Sequence, residues 1–170
     1  MGVSQKPTAE IDLILPHSYE VEELGALPGT GKFDAPVIFI PHPKNRPEHD
    51  GLWLRLKDSR GRKWIGVFAY DGPTFSRILS TPDPNRVCVI AKGAGYLVKA
   101  DDAEAWESIP LLPVMEARLI PDRELLIFID FVRFAAYGRD GLIWRSPRVC
   151  WDDLLILGVE GLLSFLNAHF

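Results

Sequence analysis

Two cysteines, Cys88 and Cys150, are all the chain contains, too few for the disulfide framework that staples small secreted folds. An excess of one charge is lacking as well. With 19 basic and 23 acidic residues the net charge is -4, which leaves none of the cationic footprint that a nucleic-acid binder lays on phosphates. Long apolar runs are also missing. The longest, residues 154–166, is interrupted by Glu160 and two glycines and is too short to span a bilayer. Met1 to Glu23 holds one lysine, then Glu10, Asp12, Glu20, Glu22 and Glu23, with no apolar stretch of the kind an export signal needs. These absences lead to the expectation of a cytoplasmic protein with neither nucleic acid nor membrane as partner.

Proline and glycine are abundant instead. Fourteen of each are scattered through 170 residues, so few windows could hold an unbroken helix. A length of 170 residues with 47% hydrophobic content suits one domain with a substantial core. Short apolar stretches punctuated by Pro, Gly and Asp read as strands. Leu52, Leu54 and Leu56 alternate with Trp53, Arg55 and Lys57, the period of a half-buried strand. Asp58-Ser59-Arg60-Gly61 then supplies turn chemistry, and residues 64–70 return. Leucines face inward in this hairpin, and Trp53, Arg55 and Lys57 share the wetter face. Residues 125–129 are apolar on both faces and belong between layers. Residues 18–24 suit one helical turn, and 162–170 suit a helix or a last strand.

One pattern is written twice. Pro82-Asp83, an apolar run, Tyr96, Asp101-Asp102 and Trp106 are echoed by Pro121-Asp122, an apolar run, Tyr137, Asp140-Gly141 and Trp144. The copies are offset by 39 residues at the proline and 38 at the tryptophan, the period of a small antiparallel unit. Residues 82–108 and 121–146 are therefore expected to form two similar strand-turn-strand units. Trp106 and Trp144 would then stand at equivalent, buried places among Val87, Val89, Ile127, Ile129, Leu52 and Leu54. Within residues 82–146, the segment from Phe134 through Asp140-Gly141 to Trp144 resembles the blades of quinoprotein-type β-propellers. That resemblance implies sheets stacked blade on blade. Four blades of four strands would consume the whole chain, and residues 1–35 show no blade pattern. The fold expected is therefore mainly β: a single domain, 1–170, of antiparallel meander sheets, sandwich-like or partial propeller-like, with at most one or two short helices. Residues 1–35 form an N-terminal segment, and 36–170 the β core with its quasi-repeats.

Motifs for chemistry are scarce. Residues 27–32 imitate a phosphate loop, but Ala26 stands where the first glycine belongs and Phe33 where magnesium needs Ser or Thr. No serine sits in a nucleophile elbow, and Cys88, flanked by valines, reads as a small buried hydrophobe. Paired acids such as Asp101-Asp102 point to opposite faces of a strand and make poor acid/base dyads. No cofactor is implied. Two groups deserve testing as sites. His42, His49 and Asp50 share the proline-rich loop 41–51 and are of the types that ligate zinc, although their spacing matches no ligand pattern. Trp53, Arg55, Lys57 and Arg62 gather cations and an indole on one hairpin, a pattern that suits an anion or another ligand. The reading preferred is a non-catalytic binding or protein-interaction module, whose partner is another protein or a second copy meeting it through sheet edges. A metal-assisted hydrolase built on His42 and His49 is the alternative.

Overall fold

The computed structural model describes residues 9–25, 32–42, 50–149, 152–160 and 163–169, with side chains described up to residue 149. In chain order the strands are β1 (Glu10–Asp12), β2 (Glu20–Glu23), β3 (Val37–Ile40), β4 (Gly51–Lys57), β5 (Lys63–Ala69), β6 (Arg77–Ser80), β7 (Arg86–Ala91) and β8 (Ala94–Lys99). They continue as β9 (Asp102–Ser108), β10 (Glu116–Ile120), β11 (Leu125–Ile129), β12 (Phe134–Gly138), β13 (Gly141–Arg145), β14 (Asp152–Glu160) and β15 (Leu163–His169). Among the described residues the one helical element is a 3-10 turn, Pro121–Arg123. The protein is mainly β, as expected. The helix considered at 18–24 is a strand because Glu20, Glu22 and Glu23 pair with β4, and the C-terminal segment pairs as β15 with β14.

Three larger sheets form a stack. The first has the order β2-β4-β5-β3, the second β1-β6-β7-β8-β9 and the third β10-β11-β12-β13, while β14 and β15 pair with each other. Alternation along each strand explains the layering. Leu52, Leu54 and Leu56 of the first sheet pack against Val87, Val89 and Val98 of the second. The opposite face of the second sheet, with Cys88, Ile90 and Leu97, meets Leu126, Phe128 and Tyr137 of the third. The second sheet is thus buried on both sides, which is why Val87-Cys88-Val89-Ile90 is apolar without alternation. The outer face of the third sheet carries Ile127 and Ile129 with Phe134, Ala136 and Val149 around them.

The hairpin β4–β5 forms as the turn chemistry implies. Gly61 takes φ +81°, a region open to glycine, and its N–H donates to the Asp58 carbonyl at 3.0 Å. The buried Asp58 carboxylate accepts from the Arg60 and Arg62 backbone N–H groups, each at 2.9 Å, and from Arg62 Nε at 2.7 Å.

The segments 82–108 and 121–146 both contain antiparallel strands joined by short turns. In the first, Trp106 lies opposite Val98 and a register shift follows between Val98 and Lys99. In the second, Trp144 lies opposite Ala136 and the shift falls between Ala136 and Tyr137. The expectation that both indoles are buried is not met. Trp106 is half-buried against the first core cluster, whereas Trp144 is 48% exposed, because it stands on the edge strand of the outermost large sheet.

Candidate functional site

Strand alternation brings Trp53, Arg55 and Lys57 to the outer face of the first sheet. Arg55 sits opposite Glu22 and Lys57 opposite Glu20, and cross-strand opposite charges of this kind attract. Arg55 donates to Glu22 at 2.7 Å and to Asp34 at 3.0 Å; Lys57 donates to Glu20 at 2.8 Å. The hydrogen bond it donates to Glu22 holds the Arg55 guanidinium above its ordinary pKa. Trp53 stacks on Phe33, ring centroids 5.6 Å apart, and meets the edge of Phe39. Arg62 is directed elsewhere, to Asp58 in the turn and to the Asp101 carbonyl of the second sheet. A shallow cleft of about 230 Å³ does lie here, lined by Glu20, Glu22, Arg55, Lys57 and Lys63. Its acids already neutralise Arg55 and Lys57, so the cluster holds β2 on β4 rather than presenting open cations to an anion.

His42 Nε2 lies 2.8 Å from Glu104 Oε2, with both side chains more than half exposed. His49 falls outside the described residues, and Asp50 directly precedes β4. Among the described residues no group of three or more His, Cys, Asp or Glu side chains gathers as metal ligands would. Cys88 is fully buried, and burial pushes its thiol far above the ordinary range, so it is no nucleophile.

Two features escaped the reading of residue types. One is the outer strand of the third sheet. On β13, Leu142, Ile143 and Trp144 are 49%, 63% and 48% exposed. The register explains their directions. Leu142 stands opposite Tyr137 of the inner face and Trp144 opposite Ala136 of the outer face. The side chain of Ile143 lies over Gly138. The apolar pattern of 142–144 was visible in sequence; its position at a sheet edge was not, since that depends on which strands follow it into the sheet.

The other feature is a cleft of about 290 Å³ between the ends of β5 and β8, walled by Pro41, Tyr70, Tyr96, Ile109 and Leu112. Its residues come from four distant stretches, so sequence spacing could not gather them.

Against protein-family models, curated proteins and solved structures, the chain matches none. Among the described residues no helix is long and apolar enough to cross a membrane.

Proposed function

We propose that this protein is a non-catalytic interaction module that takes an extended segment of another protein along β13. The observation that supports this reading is a contrast between sheet edges. An edge strand offers unpaired backbone groups to any passing strand, and proteins usually guard such edges with charge. The second sheet ends on β9, which carries exposed Asp102, Glu104 and Glu107, and on β1 with Glu10 and Asp12. The first ends on β2 with Glu20, Glu22 and Glu23 and on β3, which is uncharged but has no exposed side chain. The third ends on β10, with Glu116 and Arg118, and on β13, whose sequence Gly-Leu-Ile-Trp-Arg has no acid and three exposed apolar side chains.

The occupant is an extended apolar segment with a carboxylate near one end. Backbone pairing would supply affinity, alternate apolar side chains would cover Leu142 on one face and Trp144 on the other, and the acid would meet Arg145. Arg145 is exposed and makes no ion pair among the described residues.

We also propose that residues 82–108 and 121–146 are copies of one strand-turn-strand unit. The matching strand order of β7–β9 and β11–β13 and the register shifts beside Val98 and Ala136 support this.

A blocked peptide of alternating valine and threonine, with glutamate at one end, is a suitable probe. In calorimetric titration it should bind the wild-type chain and fail to bind Ile143→Lys, while Glu104→Lys on the acidic edge leaves its affinity unchanged. Equal binding to Ile143→Lys would overturn the reading. Sedimentation velocity provides a second arm: a dimer abolished by Ile143→Lys would make the occupant a second copy and overturn the commitment to another protein.

A further inference from the structure

The cleft between the first and second sheets is independent of β13, since its walls come from β5, β8, β9 and the segments beside them. It opens where strands of both layers end together. β3 finishes at Ile40 and leads into Pro41, β5 finishes at Ala69 and leads into Tyr70-Asp71, β8 starts at Ala94, and β9 finishes at Ser108. Two sheets that pack face to face must part at their ends, and side chains that follow the strands wall the gap. Here they are mostly apolar and aromatic. Tyr96 is buried, with its hydroxyl donating to the Ala69 carbonyl at 3.0 Å, so the phenol is fixed as a wall. Its ring is braced by Phe68 and Trp106. Leu112 also lines the cleft and is 60% exposed. Gly95 lines the floor, and a Cβ there would collide with Ile109, so the walls are closely packed below the opening.

The charge of the cleft is negative. Asp71 is the one residue charged at neutral pH among its lining residues. Among the described residues it has no hydrogen bond or ion pair, although its charge reaches Tyr96. Burial first, and Asp71 second, push the Tyr96 phenol up to about 12. Burial, then Asp50 and Glu23, raise Tyr70 in the same direction.

A cation is already drawn to the rim. Lys92 sits at the tip of the β7–β8 turn with φ +44°, followed by Gly93 at φ +93°, and its ammonium lies 4.3 Å from the centroid of Tyr70. An exposed lysine that leaves water for an aromatic face marks a favourable place for positive charge.

The geometry points to this cleft as a binding site for a small organic ammonium on an apolar or aromatic body. The body would lie against Tyr96, Ile109 and Leu112, and the ammonium beside Asp71 and Tyr70. A pocket of this kind combines apolar walls with a few placed polar groups, and its volume is at the small end for such sites, which favours a compact ligand. Lys92 acts as the competitor, both occupying the face of Tyr70 and repelling a second cation.

Three probes share one body and differ in charge: 2-phenylethylammonium, 2-phenylethanol and 3-phenylpropanoate. Each is titrated into the full chain while backbone amide resonances are followed. The ammonium should bind at least fivefold more tightly than the alcohol and move the amides of residues 69–71 and 94–96. Asp71→Asn should erase that preference, and Lys92→Ala should tighten ammonium binding severalfold. Both side chains are exposed, and an unchanged amide spectrum elsewhere shows that each variant is folded. Equal binding of ammonium and alcohol, a preference that survives Asp71→Asn, tightest binding of the propanoate, or shifts outside the cleft would each overturn the assignment.

Discussion

The indole Nε1 of Trp64 donates to the carbonyl of Ala100 at 2.8 Å. This bond joins β5 of the first sheet to the β8–β9 turn of the second, and it lies inside the interface between them, where Trp64 is 7% exposed. A buried carbonyl deprived of its donor keeps its full desolvation cost. The two layers are therefore held by directional bonding as well as by apolar contact.

Trp64→Phe keeps most of the ring volume and removes that bond. It should cost about 1–3 kcal/mol, the penalty of an unsatisfied buried acceptor. Trp64→Ala should cost about 3–5 kcal/mol because it opens a cavity as well. Urea unfolding of the two variants measures both numbers, and an undiminished stability of Trp64→Phe would show that the bond contributes nothing.

Position in the stack sets the next expectation. Phe128 is fully buried between the second and third sheets, so Phe128→Ala should cost about 3–5 kcal/mol. Trp144 touches Phe134 edge-on with ring centroids 4.4 Å apart and is otherwise half in water. Its truncation to alanine should cost about 0.5–1.5 kcal/mol, the range for one aromatic pair. The difference between the variants in urea midpoint should be plain, and a Trp144 loss as large as that of Phe128 would contradict the edge position.

Asp58 gives the turn a pH dependence. Burial alone would raise its pKa, but the hydrogen bonds from Arg62, backbone and side chain, and from the Arg60 N–H outweigh it and lower the net value. A carboxylate with a lowered folded-state pKa contributes stability that is fully present above its unfolded value, about 3.9, and lost as pH falls through the folded value. Stability measured between neutral pH and the acid range should therefore drop below about pH 4. Asp58→Asn should flatten that acid limb. An unchanged limb in the variant would mean that other carboxylates carry it.

Most of the layering was legible in the residues. Leu52, Leu54 and Leu56 declared their face by alternation, and residues 125–129 declared two buried faces by lacking it. The Asp58-to-Gly61 turn was readable because its backbone demands particular residues. Trp144 was misjudged for a physical reason: burial of a strand residue depends on what lies beyond its sheet. A tryptophan on β9 and one on β13 look alike in sequence, while only β9 has another large sheet packed on both faces of its own sheet. The ion pairs of Arg55 and Lys57 were hidden because Glu20 and Glu22 lie more than thirty residues earlier in the chain. The cleft beside Tyr70 was hidden for the same reason.

Pairing of a partner strand along β13 would be read residue by residue in amide hydrogen exchange. Exchange is followed at residues 141–145 in the free chain and with the valine–threonine peptide present. Alternate amides of β13, those directed away from β12, should slow at least tenfold with peptide, while the amides of β9 and β2 should not change. Unchanged exchange along β13 at a peptide concentration that saturates binding would contradict the pairing.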